Sequence, residues 1–249
     1  MEVLAIAGVK IEHLSKSYTV SGKILPVIDD ISLTIDEGSI TIIIGKSGCG
    51  KTTFLKLLHG LEQPNSGNIL LPKESKLGMV FQEDRLMPWL NTWDNVTFSL
   101  KKKDINKTLV EDTIKLVGLN GFENAYPAQL SGGMRQRAAL ARALIYNPSL
   151  LLMDEPFASL DYFTRENLQN EIIRIHKSNG IGIVFVTHNI DEALKLGQRI
   201  IVFEAGKVKA DYDLSGYTYV RDILSKPLIE MKKDILNIMK DVSSNGENI

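Results

Sequence analysis

A single cysteine, Cys49, occurs in 249 residues, so no disulfide can form within the chain and no second thiol is at hand to share a metal. No run approaches the ~18 continuous apolar residues that a membrane-spanning helix needs, and any membrane role would be exercised from outside the bilayer. The opening MEVLAIAGVKIEHLSKSY has neither a basic leader nor a long apolar core, and no signal peptide is expected. Neither sign of charge prevails: the net charge of −1 argues against a chain built to neutralise a nucleic-acid backbone, and no nucleic-acid partner is expected. The densest basic patch, Lys101–Lys103, reads as a solvated loop or helix end. Internal repeats and low-complexity linkers are also missing. What is present is an ordinary globular balance, 44% hydrophobic and 24% charged, over a length that suits one or two domains with a large core.

The pattern along the chain alternates strands and helices. Val9, Ile11 and Leu14 fall in an extended run, and Ile31, Leu33 and Ile35 alternate up to the Glu37–Gly38 turn. ITIIIG (40–45), LLLMDE (150–155), IVFVT (183–187) and RIIVF (199–203) read as strands, the first two as strands buried on both faces. Lys51–His59 reads as a helix stopped by Gly60. Between Thr92 and Gly118 the spacing of Ile105, Leu109, Thr113 and Leu116 predicts helix, and a further helix runs from about Met134 to Ile145. Phe163, Leu168, Ile172 and Ile175 mark the buried side of another, and Leu228, Met231, Ile235 and Ile238 predict an amphipathic helix in the tail. Such alternation predicts an α/β fold with a mostly parallel sheet covered on both faces, interrupted near 85–145 by a helical subdomain.

Three segments carry chemistry. Gly45-Lys-Ser-Gly-Cys-Gly-Lys-Thr52 is a full phosphate-binding loop, led in by a β-branched strand and led out by a helix. Its glycines let backbone N–H groups close around phosphates, and the helix start adds a positive dipole end. Lys51 supplies a charge for the β- and γ-phosphates, and Thr52 offers a hydroxyl to Mg²⁺. In LLLMDEP, Asp154 ends a buried strand, where open α/β sheets place ligands, and can reach the Mg²⁺ shell; Glu155 is the natural general base for an attacking water. In LSGGMRQRAALARAL, Ser131, Gly132 and Gly133 open a helix, a second anion-binding start in one chain.

With that third segment the chain resembles the ABC ATPase family, whose signature is LSGG-x-[RQ]-Q-R, and the resemblance covers about residues 9–210. It implies a P-loop NTPase fold of ABC type, with an antiparallel β subdomain added to the core and the helical signature subdomain. On that basis about 1–84 and 146–210 form the β subdomain and catalytic core, 85–145 the helical part and 211–249 a C-terminal helical tail. It also implies that Gly45, Lys46, Ser47, Gly48, Cys49, Gly50, Lys51, Thr52 and Thr53 hold ATP, with Tyr18 stacked on the adenine. Gln82 matches the glutamine expected to touch Mg²⁺ or the attacking water and to sense a membrane partner. His188 matches the switch histidine at the γ-phosphate, and Ser159-Leu160-Asp161 the loop that crosses to a second subunit. Thr52, Gln82 and Asp154 are then the Mg²⁺ residues. Two copies are expected to pack head to tail, each ATP lying between the Lys51 loop of one and the Ser131 helix of the other.

The segment FQEDRLMPWLNTWDNVTFSL is similar to the subfamily serving nitrate, sulfonate and taurine importers; Pro88–Trp89 would give a stiff loop with an exposed aromatic, suited to a partner helix. The resemblance implies work at the cytoplasmic face of a membrane, with transmembrane permease subunits as partners and, indirectly, a solute-binding protein. Vitamin precursors remain open as solutes beside the small anions, and exporter or non-transport ABC ATPases remain as alternatives. The role given to Glu155 has a direct consequence. Glu155→Gln is expected to trap ATP, lock the dimer and lower turnover on the order of 100-fold or more; unchanged turnover in a phosphate-release assay would refute the assignment.

Overall fold

The computed structural model describes residues 8–158, 160–219 and 221–240. Residues 1–7, Ser159, Val220 and the end of the tail (241–249) lie outside the described residues. The chain opens with β1 (Gly8–Val20), β2 (Lys23–Asp36), β3 (Ile40–Ile44), α1 (Lys51–His59) and β4 (Ser66–Leu70). Next come β5 (Leu77–Val80), α2 (Thr92–Thr97), α3 (Lys107–Leu116), α4 (Gly132–Leu144), β6 (Leu150–Asp154) and α5 (Tyr162–Asn179). It closes with β7 (Gly182–Thr187), α6 (Ile190–Leu196), β8 (Arg199–Glu204), β9 (Lys207–Asp213) and α7 (Lys226–Lys240). Two compact units emerge, Met1–Lys73 with Val184–Ile249, and Glu74–Ile183.

In the first unit β1 lies between β2 and β4 in an antiparallel sheet. A two-residue turn, Ser21–Gly22 with φ of 50° and 78°, joins β1 to β2, the left-handed pair that matches strand twist in a tight hairpin. Val9 opposes Ile35 and Leu14 opposes Ile31, so the alternating apolar residues of both strands reach the same core. β3 runs parallel to β8, Ile42 beside Ile200 and Ile44 beside Val202, and β8 turns back antiparallel into β9. All five residues of β3 are buried, as a strand covered on both faces demands. α1 buries Phe54, Leu55, Leu57 and Leu58 along one stripe, and Phe54 meets Phe203 of β8 edge to face at 5.2 Å. That contact fixes the helix whose first turn ends the phosphate loop.

The tail belongs to this unit. Leu228 and Ile235 are the buried residues of α7, which packs on α6 with Lys232 2.5 Å from Asp191. Ahead of it Arg221, 8% exposed, donates to the carbonyls of Leu194, Gly197, Leu214 and Tyr217. One guanidinium thereby satisfies the C-terminal carbonyls of α6 and ties down the chain that leads into α7.

In the second unit β5 and β6 pair in parallel, Leu77 with Leu150 and Val80 with Met153. α4 packs against α2, α3, α5 and β5, and buries Ala138, Ala139, Ala141 and Ala143, small residues that admit neighbours closely. The helix starts at Gly132, two residues before its expected start. The expected single helical stretch from Thr92 to Gly118 is instead two helices separated by a 3-10 turn at Lys102–Asp104. The buried stripe of α3 is Val110, Thr113, Ile114 and Val117, not Leu109 and Leu116; Leu109 is 47% exposed. In α5 Leu168, Ile172 and Ile175 are buried as expected, but Phe163 is 74% exposed in the first turn. Phe54→Ala removes a fully buried ring and its aromatic partner contact. It is expected to lower unfolding free energy by about 3–5 kcal/mol, read as a shifted urea midpoint with unchanged slope.

Candidate functional site

The first unit assembles one set of the expected residues. β3 delivers Gly45 to the loop, and α1 begins at Lys51 with Gly50 as its cap at φ 105°. That backbone favours glycine, and a Cβ there would lie 2.5 Å from the carbonyl of Val27. No side chain caps α1. By contrast α2, α3, α4, α5 and α6 are capped by Asn91, Asn106, Ser131, Asp161 and Asn189. A helix start left to other donors and acceptors, under a glycine loop, is suited to an anion. Lys51 is 5% exposed, and its ammonium donates to the carbonyls of Gly45 (2.8 Å) and Lys46 (3.0 Å), which holds the charge at the centre of the loop. The N–H of Gly206 donates to the carbonyl of Cys49, so the turn between β8 and β9 braces the loop from outside. A cavity of about 200 Å³ lies on that side, walled by Lys46–Cys49 and by Ile238 and Met239 of α7.

Tyr18 stands near the end of β1, and its hydroxyl donates to Glu62, on the turn that follows α1. Burial, followed by the Glu62 bond, pushes the Tyr18 phenol up, and the Tyr18 bond holds the Glu62 carboxyl low. His188 follows β7 and is exposed. Its backbone is framed by Thr187 Oγ1, which accepts from the Asn189 N–H at 3.0 Å and donates to Glu192 at 2.7 Å. Asn189 then caps α6, accepting from Asp191 and Glu192.

The second unit assembles the rest. Asp154, 6% exposed, ends β6, and Glu155 follows at φ 42°, an uncommon left-handed conformation for a residue with a side chain. The strain turns the chain sharply at the strand end, where the N–H of Ala158 closes on the Glu155 carbonyl at 3.1 Å. A cleft of about 470 Å³ brings Gln82 together with Gly132, among walls that include Asp84, Arg135 and Ala158. Ser131 Oγ accepts from the Met134 N–H at 3.3 Å, so the hydroxyl caps its own helix. Asp161 caps α5 by accepting from the Thr164 N–H at 3.1 Å. Its carboxyl is held low by bonds to the Thr164 side chain and then the Thr164 backbone. That capping is therefore present above the ordinary aspartate range and is lost as pH falls through the lowered pKa.

Sequence reasoning missed the residues that hold these parts in place. Three side chains of α4 grip the segment around Gln82. Gln136 donates to the carbonyl of Phe81 (3.4 Å), and Arg135 donates to Asp84 (3.0 Å). Arg142 donates to the carbonyls of Asp84 and Arg85, both at 2.8 Å. Asn95 lies within α2. Its buried amide accepts from Met87 and donates to the carbonyls of Met87, Leu90 and Asn91, so one side chain shapes the loop that presents Trp89, 69% exposed. The signal for Gln136 and Asn95 is a polar residue at a buried helical position, which needs a hydrogen-bond partner.

The oxygen donors Thr52, Asp154 and Gln82 suit Mg²⁺ in kind, since this hard cation takes one or two carboxylates, hydroxyls and substrate phosphates rather than an all-protein cage. Among the described residues no three His, Cys, Asp or Glu side chains form a metal cluster.

Comparison with known proteins places these motifs in context. A family model described as ABC transporter matches residues 28–158. An uncharacterized ABC transporter ATP-binding protein of Methanocaldococcus jannaschii is 44% identical over 244 residues, covering 93% of this chain and 91% of its own. An aliphatic sulfonates import ATP-binding protein of Bacillus cereus is 38% identical over 237 residues, with 92% and 94% covered. A taurine import ATP-binding protein of Pelagibacter ubique is 42% identical over 208 residues, with 79% and 78% covered. Among solved structures, a dimeric ATP-binding cassette in a post-hydrolysis state with ADP and Pi superposes at TM-score 0.75 and 31% identity, over 84% of this chain and 100% of that one.

A test of the signature start follows from its packing. A Cβ on Gly133 would fall 2.3 Å from Thr164 Cγ2 of α5. Gly133→Ala is expected to destabilise the protein by about 1–3 kcal/mol in chemical denaturation, and Thr164→Ser, which removes that methyl, to recover most of the loss in the double variant.

Proposed function

Because the chain belongs to the ABC transporter family, we propose that it is the ATP-hydrolysing subunit of an importer for a small organosulfonate of the taurine and alkanesulfonate kind. The observation that carries the solute class is the naming of relatives, 38–42% identical over most of the chain, as import ATP-binding proteins for aliphatic sulfonates and taurine. The residues support the ATPase part: an uncapped helix start under a glycine loop, a buried aspartate at a strand end, and a carboxylate immediately after it.

In this reading the backbone of residues 45–53 encloses the phosphates, and Lys51 neutralises the β- and γ-oxygens. Thr52, Asp154 and Gln82 would hold Mg²⁺, which when bound draws charge from the phosphates as it develops. Glu155 takes the proton of the attacking water, and His188 donates to the γ-phosphate. Tyr18 stacks on the adenine. Two copies enclose two ATP molecules, with Ser131–Gly133 and Asp161 of each reaching the other's nucleotide; loss of the γ-phosphate then releases the pair. The loop bearing Trp89 receives a permease helix at the cytoplasmic face, and a solute-binding protein delivers the solute from the other side.

The test is recovery of the tagged chain from detergent-solubilised native membranes. A multi-spanning permease should co-purify, and Trp89→Ala should reduce its recovery by about 30-fold in affinity, as loss of an aromatic anchor of ~2 kcal/mol implies, while MgATP binding persists. In the reconstituted complex, taurine or an alkanesulfonate with its binding protein should stimulate ATP hydrolysis more than nitrate. Stimulation by nitrate alone would overturn the solute class, and recovery of soluble partners only would overturn the importer.

A further inference from the structure

The turn after α1 is stitched to the strand that bears Tyr18. Asn65 Oδ1 accepts from the N–H of Ser17 at 2.6 Å, and the Asn65 N–H donates to the carbonyl of Ser15 at 2.9 Å. Lys16 donates to the carbonyl of Gln63 at 2.7 Å. Between these ties Glu62 accepts the Tyr18 hydroxyl, while Lys56 stands 3.3 Å and Lys16 3.9 Å from its carboxylate. The Lys16 ammonium also lies 5.3 Å from the centroid of the Tyr18 ring, on one of its faces. The ring is thus tethered at its hydroxyl to the turn that closes the helix starting at the phosphate loop, and one face is taken by a cation.

The geometry points to Glu62 as a positioning residue for adenine: together with Lys16 and Lys56 it locks the Tyr18 ring at a fixed distance from the phosphate loop and leaves the face opposite Lys16 for the base. This rests on the assignment of Tyr18 as the adenine-stacking residue. The physical gain is pre-organisation. A tyrosine near the end of a strand whose neighbours Val20, Ile24 and Leu25 are all more than half exposed would otherwise be ordered only when nucleotide binds. Because α1 carries the loop at one end and Glu62 beyond the other, base and phosphates are gauged by a single rigid element.

The experiment compares MgATP with magnesium tripolyphosphate, which has the phosphates and no base, by calorimetry on the full chain. Glu62→Ala and Tyr18→Phe are each expected to weaken MgATP roughly three- to tenfold and to leave tripolyphosphate within about twofold. The double variant should bind MgATP no more weakly than the worse single one, since both remove one hydrogen bond. Equal weakening of both ligands by Glu62→Ala, multiplied effects in the double variant, or unchanged MgATP binding would each overturn the positioning role. Tyr18→Ala separates the two levels. If it weakens MgATP while Glu62→Ala and Tyr18→Phe do not, only the role of Glu62 falls; if it binds MgATP as the parent does, the adenine assignment falls with it.

Discussion

A phosphate group needs several donors converging on it, and a folded chain has few places where backbone N–H groups point the same way without partners of their own. The start of a helix is one of them. In this protein five helix starts are closed by Asn, Ser or Asp side chains, whereas α1 is opened by a left-handed glycine and has no side-chain cap. Much else follows from keeping that start open and in place. β3 must be fully buried to aim the loop, Phe54 must meet Phe203 to seat the helix, and the turn between β8 and β9 must brace the loop through Gly206 and Cys49. The lysine charge is held by carbonyls of the loop itself, so the site is electrostatically organised ahead of any ligand.

How far the sequence is legible depends on whether a function is written in neighbouring residues. The phosphate-loop pattern, the aspartate–glutamate pair at the end of β6 and the Ser131 helix start are each contiguous in the chain, so their places at a strand end and at helix starts could be read directly. Glu62, Gln136, Arg142 and the organising part played by Asn95 could not, since each acts on carbonyls or hydroxyls brought near by folding. The misplaced stripe of α3 has a similar origin. Spacings of four, four and three fit two adjacent stripes on a helix, and only packing against α4 selects Val110, Thr113, Ile114 and Val117. The exposed Phe163 shows the converse: an apolar residue at the right spacing but in the first turn, beyond the edge of the core.

The grips on Phe81, Asp84 and Arg85 come from α4, the helix that Ser131 caps, and so the proposed anion-binding start and the segment around Gln82 are tied to one helix. A nucleotide pressing on the first and a membrane partner pressing on the second would act on the same body. Thermodynamic reciprocity then applies: whatever factor the nucleotide imposes on the partner's affinity, the partner imposes on the nucleotide's. No relay of side-chain rearrangements is required between them.

Glu155 occupies a backbone conformation that glycine would adopt without cost, yet its carboxylate is the group on which the hydrolytic chemistry is assigned. Stability and turnover therefore pull in opposite directions at one position. Selection of this protein for heat resistance alone would favour the residue that relaxes the turn, and a library screened without an activity step would drift toward well-folded, inert cassettes.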